Sequence, residues 1–291
     1  MIFSDKIRFF SVERAEKMCY IMNERQKPPS YRRKRGSFRM IYWFSGTGNS
    51  LFAARRIAAQ TQDTAISMSD ALKNGISFSA RETRLGLVFP VYFYGLPSVV
   101  SDFIDALDIS CSANTYVYAV ITCGGSIGNA GGVLRRKLQE KHIPLTAIYT
   151  VKMPDNYILM YDLPDDGTRD ALIEDAKKEL NAIAQSVLSA RSVPQGNRRG
   201  PLPHLLSGVL APLYNAQRHT KSFRVDGNCV SCGLCAQNCP IGAIEIQNGK
   251  PVWIKDQCAL CLRCLHHCPK SAIQFGSKTA SRRRYRFPEE E

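Results

Sequence analysis

No stretch of this sequence reaches 18 consecutive apolar residues, the length from which a membrane-spanning helix is read. The nearest, 85–104, is broken by Pro90, Gly95, Pro97, Ser98, Ser101 and Asp102. The first 20 residues carry scattered charges and no apolar core, so no secretory signal is expected. No acid, base and nucleophile are gathered into a legible catalytic group. Acidic residues are also short, 25 against 39 Lys and Arg, which leaves a net charge of +14. Its location blunts the obvious reading: residues 1–39 hold 11 basic residues against 4 acids, and 277–291 hold 5 against 3. The excess thus sits mainly in the ends, and a nucleic-acid partner is not expected.

Cysteine is sparse except in one place. Of 11, only Cys19, Cys111 and Cys123 lie outside 229–268. That stretch reads Cys229-Val-Ser-Cys232-Gly-Leu-Cys235-Ala-Gln-Asn-Cys239-Pro240, and then Cys258-Ala-Leu-Cys261-Leu-Arg-Cys264-Leu-His-His-Cys268-Pro269. Both runs match the C-x2-C-x2-C-x3-C-P pattern of bacterial two-cluster ferredoxins, in which the fourth Cys ligates the other cluster. Two-residue gaps let three thiolates of one tight loop face one cubane, and the Cys-Pro turns the chain away. Cys229, Cys232, Cys235 and Cys268 are therefore assigned to one 4Fe–4S cluster. Cys258, Cys261, Cys264 and Cys239 are assigned to the second. Zinc sites use two separated ligand pairs, and disulfides do not explain a duplicated triplet. Thiolate-held clusters suit a reducing compartment, so a cytoplasmic location is expected. His266 and His267, in the second loop, are expected to face solvent or to hydrogen-bond behind the ligands.

At 291 residues the chain has room for two domains. Residues 1–39 read as a basic, disordered extension, with Met40 as an alternative natural start. From there short apolar strands at 40–44, 65–68, 85–89, 116–122 and 144–151 alternate with helical patterns. Such alternation implies a parallel sheet covered on both faces. The last helix carries Leu172, Ile173, Ala176, Leu180, Ile183, Ala184 and Val187 on one side. The expected division is 40–191 for this domain, 192–222 for a connector, 223–276 for a small α+β cluster domain and 277–291 for a tail. In the connector, Leu202, Leu205, Leu206, Val209, Leu210 and Leu213 form an amphipathic segment bounded by Pro203 and Pro212. Packing between the domains is preferred there to lying on a membrane surface.

Between the first strand and helix lies Ser45-Gly46-Thr47-Gly48-Asn49-Ser50. Small residues let backbone N–H groups close around a phosphate, and hydroxyls donate further bonds. The loop resembles the FMN-phosphate loop of flavodoxins, with Ser50 where Thr is usual and Trp43 where a smaller residue is common. The resemblance implies a doubly wound, flavodoxin-like sheet of order 2-1-3-4-5, with the ligand beyond strands 1 and 3. The loops after strands 3 and 4 then flank the flavin ring. The first offers Tyr92, Phe93, Tyr94 and Gly95 for stacking; the second offers Thr122, Gly124, Gly125 and Gly128 for hydrogen bonds to the polar edge. Core packing is the alternative for the aromatics. Cys123, beside this loop, is expected to be an inert buried thiol.

Over about 40–275, including Met153-Pro-Asp-Asn-Tyr157, the chain resembles flavodoxin–ferredoxin fusion proteins of anaerobic bacteria. That resemblance implies an FMN site joined to two 4Fe–4S clusters in an electron-transfer protein, with an unidentified redox partner. Two alternatives stay open: a flavin-dependent reductase of a small substrate, or a ferredoxin with an empty flavodoxin-like docking domain.

Overall fold

The computed structural model describes residues 38–74, 82–107, 111, 114–194, 196–200 and 202–288. The expected basic extension lies outside these up to residue 37, while Phe38 and Arg39 already belong to the first strand. Five strands form one sheet: β1 (Phe38–Trp43), β2 (Thr64–Ser67), β3 (Glu82–Pro90), β4 (Tyr116–Cys123) and β5 (Ala147–Lys152). All neighbours pair in parallel, in the order β2-β1-β3-β4-β5. This is the flavodoxin-like order.

The sheet is buried on both faces, as crossover helices require. Side chains alternate across it. Tyr42, Phe44, Leu85, Leu87, Phe89, Val117, Ala119 and Ile121 join one core. Against them pack Val99, Val100, Phe103 and Ile104 of α3 (Ser98–Ala106), and Leu134 and Leu138 of α4 (Ala130–Glu140). Ile41, Val88, Tyr118, Val120 and Val151 join the other core, with α1 (Asn49–Thr61) and α5 (Asp166–Leu188) above them. Burying a Leu, Ile, Val or Phe is worth about 1.5–3 kcal/mol, so these two stripes fix the sheet. Met68, expected to end the second strand, instead opens α2 (Met68–Asn74). The reason is local: the Ser67 hydroxyl accepts the Asp70 N–H at 3.2 Å, a cap that stops the strand.

The C-terminal part is built from two antiparallel pairs, β6 (Phe223–Val225) with β9 (Ile273–Phe275) and β7 (Ile244–Gln247) with β8 (Lys250–Trp253). The latter turn on Asn248-Gly249, both at positive φ, as a tight hairpin demands. Each cysteine triplet ends in a single helical turn, α7 (Leu234–Gln237) or α8 (Arg263–His266), entered through a left-handed residue, Gly233 or Leu262. The sheet domain and this part form one compact unit.

The connector helix spans Pro203–Gln217 (α6). It does pack between the two parts, though of the expected apolar residues Leu202, Leu205 and Val209 are left 68%, 62% and 63% exposed. The contact runs through Tyr214 and Ser207. Tyr214 Oη donates to the Ala259 carbonyl at 2.9 Å and accepts the Ser98 N–H at 3.2 Å, so one hydroxyl ties both parts together. Ser207 Oγ donates to Tyr94 O and accepts the Asn129 N–H, each at 2.8 Å. In a stretch read only for apolar period, polar anchors of this kind carry no signal.

Candidate redox site

The two cysteine quartets line two separate cavities. One is walled by Cys229, Cys232, Cys235 and Cys268, the other by Cys239, Cys258, Cys261 and Cys264. Cys268 thus lies with the first triplet and Cys239 with the second. Among the described residues no group of three or more His, Cys, Asp or Glu is placed to hold a metal ion directly. Main-chain N–H groups of Ala243, Leu260 and Ala272 donate to Cys239, Cys258 and Cys268 Sγ, each at 3.2 Å. Such donors favour thiolates, while burial opposes them. Burial wins at several of these cysteines: it pushes Cys235 and Cys258 up to about 11 and Cys261 to about 12. Burial, then repulsion from the neighbouring cysteines, holds Cys264 well above the usual thiol range. Thiols so placed ionise only with a cation to meet them, and an iron–sulfur cluster supplies one.

A larger cavity of about 510 Å³ opens at the carboxyl ends of β1, β3 and β4. Its volume is that of a small-molecule or cofactor site. Ser45, Gly46, Thr47, Asn49 and Ser50 line it, as do Tyr92, Phe93, Tyr94, Thr122, Gly124 and Gly125. Gly48, Gly95 and Gly128 of the expected set do not. Their parts are conformational: Gly48 and Gly128 sit at φ 113° and 54°, and Gly95 closes a turn with Tyr92 by mutual bonds of 2.8 and 3.1 Å. In that turn Phe93 and Tyr94 hold φ 48° and 57°, strain of roughly 1–3 kcal/mol each that sits at the cavity wall.

Within the loop, Ser45 Oγ accepts the Gly48 N–H at 3.0 Å, and Ser50 Oγ shares a 2.8 Å bond with Thr122 Oγ1. Asn156 Nδ2 donates to Thr47 Oγ1 at 2.5 Å. The aromatics do double duty, because Tyr92 and Phe93 also pack on Tyr214 with ring centres 6.1 and 5.6 Å away. Cys123 is buried and its thiol is pushed up to about 11, chiefly by that burial.

Several parts of the wall escaped the sequence reading of the site, Leu210 and Leu213 of α6 among them. Met153, Pro154, Asp155, Asn156, Tyr157, Met160 and Tyr161 follow β5; the segment 153–157 had been marked only by resemblance. Leu260, Cys261 and Leu262 come from the second cysteine loop, where apolar residues between ligands read as mere spacers. The contact is close: a Cβ on Gly46 would stand 2.7 Å from the Cys261 carbonyl oxygen. His266 is buried, not solvent-facing; it accepts the Tyr285 N–H on Nδ1 at 3.1 Å and so donates Nε2–H to Asn156 O at 3.0 Å.

The fold and this site define a flavodoxin-like domain joined to an iron–sulfur domain. Residues 228–273 match the model of the 4Fe-4S dicluster domain family, so the architecture is that of a flavodoxin–ferredoxin fusion. No curated protein matches the chain. Among solved structures it is similar to rubredoxin oxygen:oxidoreductase of Desulfovibrio gigas, at 18% identity and TM-score 0.34, over 60% of this chain and 40% of that one. An FMN-dependent NADH-azoreductase from Bacillus anthracis, in complex with FMN, matches at 10% identity and TM-score 0.36, over 53% of this chain and 100% of its own. The fold rests on the strand order, not on these distant likenesses. Among the described residues no helix is long and apolar enough to cross a membrane.

Proposed function

We propose that this chain is an iron–sulfur flavoprotein that passes electrons between two 4Fe–4S clusters and a bound FMN. The observation that carries the reading is the shared wall: Leu260, Cys261 and Leu262 border the same cavity as Ser45, Gly46, Thr47, Asn49 and Ser50. When bound, clusters exchange single electrons and a flavin exchanges one or two, so the pair links one- and two-electron chemistry. Cys239, Cys258, Cys261 and Cys264 hold the inner cluster against the flavin cavity. Cys229, Cys232, Cys235 and Cys268 hold the outer one, whose Cys232 is exposed to a redox partner.

The N–H groups at the start of α1, with the Thr47 and Ser50 hydroxyls, receive the phosphate. Tyr92, Phe93 and Tyr94 flank the ring, and the backbone of Thr122, Gly124 and Gly125 meets its polar edge, with Gly95 and Gly128 shaping those loops. In this reading 40–191 is the flavin domain, 223–276 the cluster domain and 192–222 the bracket between them, in a reducing cytoplasm. The test is cofactor content after anaerobic purification. About eight irons per chain with matching acid-labile sulfide, and FMN bound stoichiometrically, are expected. Stoichiometric zinc without sulfide overturns the cluster assignment, and absence of flavin binding overturns the flavin one.

A further inference from the structure

The tail after β9 does not run free. Arg282 donates to the carbonyls of Ile158 and Tyr161 at 2.5 and 2.9 Å. Arg283 donates to Pro164 O at 2.6 Å and to Asp166 at 3.0 Å. Beyond these anchors the chain meets the phosphate loop itself. Tyr285 Oη donates to Asn49 Oδ1 at 2.6 Å, while Asn49 Nδ2 donates to Pro154 O at 3.0 Å. The Phe287 N–H donates to Thr47 O at 2.8 Å, and its ring stacks on Phe52 with centres 4.3 Å apart.

From these contacts we infer that residues 282–287 are a strap that completes the flavin-phosphate site from the far end of the chain; this rests on the FMN reading above. The peptide between Thr47 and Gly48 is planar and trans, so its C=O and N–H point opposite ways. Phe287 holds the C=O outward, and the Gly48 N–H is thereby turned into the loop, where Ser45 Oγ now accepts it. Gly48 leaves the strap its room: at φ 113° a Cβ there would stand 2.6 Å from Phe287 Cβ. Asn49 has both ends of its amide occupied by the strap and by Pro154, so its side chain sets the loop's shape and its N–H remains for the anion. The strap is tied in turn to the inner cluster loop, because the Tyr285 N–H binds His266, and His266 binds Asn156, which binds Thr47. Seating of the cluster domain and affinity for the FMN phosphate are therefore coupled.

The experiment compares FMN with riboflavin, which lacks the phosphate, by fluorescence titration of flavin-stripped, iron-loaded full-length protein. Phe287→Pro removes the N–H that holds Thr47 O; Phe287→Ala keeps it; Tyr285→Phe removes the bond to Asn49. Phe287→Pro is expected to weaken FMN on the order of tenfold and riboflavin little, with iron content unchanged. Phe287→Ala should weaken FMN less, and Tyr285→Phe a few-fold. Should Phe287→Pro also lose iron, Tyr285→Phe decides. FMN and riboflavin weakened alike, or neither weakened, overturns the strap while the flavin reading stands. A parent protein that binds no FMN overturns both.

Discussion

Cys229, Cys232, Cys235 and Cys268 share their spacing with Cys258, Cys261, Cys264 and Cys239, yet their surroundings differ. The first quartet lies near the surface, with Cys232 exposed and Val230 56% exposed beside it. The second lies inside, with Cys239 and Cys258 only 7% and 8% exposed, between Phe223, Trp253 and the wall of the larger cavity. One motif, used twice, sets the arrangement of the cysteines; what packs over it sets whether that arrangement faces water or a neighbouring site. Solvent exposure and hydrogen bonds to sulfur tune cluster potentials, so two clusters held this way are expected to differ in potential.

The sharpest way to break this comparison is to remove one cysteine from each quartet. Cys261→Ala should cost the inner cluster, leaving about four of about eight irons, and should also weaken FMN, because Cys261 walls its cavity. Cys232→Ala should cost iron at the outer site and leave FMN affinity as in the parent. Iron analysis with flavin titration reads both. Equal effects on FMN from the two variants would mean that the inner quartet is no closer to the flavin than the outer.

A smaller effect is expected where the inner loop touches the phosphate loop. Gly46→Ala drives a methyl against the Cys261 carbonyl, a backbone atom that cannot rotate away. Overpacking of this kind costs roughly 1–3 kcal/mol. That should lower the thermal midpoint by about 2–4 °C for each kcal/mol. Gly125→Ala, with open space around it, is the control and should melt with the parent. If Gly46→Ala melts with it too, the inner loop does not press on the phosphate loop.

What could be read in the sequence follows from the range of the interactions. Strand β4 is buried at every residue, so it reads as one apolar run. The cysteine spacing and the Ser45-to-Ser50 loop are local patterns that must be local to work. The rest of the site is assembled from far away. Tyr285 reaches Asn49 across 236 positions, from a tail whose arginines looked like basic excess. Tyr214 joins the two parts by its hydroxyl, in a helix whose period drew attention to Leu202 and Leu205, which stay outside. The glycines divide for the same reason: Gly46 is needed for close approach to another segment, Gly48 for its φ and for Phe287, and neither need leaves a periodic trace.

Cys123 gives the comparison its internal control, and the smallest change. Burial pushes it up to about 11, the value also reached by Cys258, but it belongs to neither of the two quartets. In the holo-protein both kinds of thiol should resist iodoacetamide at neutral pH, the quartets by ligation and Cys123 because it stays protonated and covered. Stripping the iron separates them. The outer quartet should then react, exposed Cys232 first, and Cys123 should remain unlabelled in the tryptic digest. The same shift fixes a pH effect on stability. Its ordinary value is 9.0, and the folded value is higher, so the unfolded chain ionises first. The thiol thus has no effect well below pH 9 and costs stability from there upward, with the loss complete near 11. Cys123→Ala should flatten that part of the iron-free protein's stability curve. Rapid labelling of Cys123 at neutral pH would instead make it an activated thiol beside the flavin cavity, and its burial would no longer explain its chemistry.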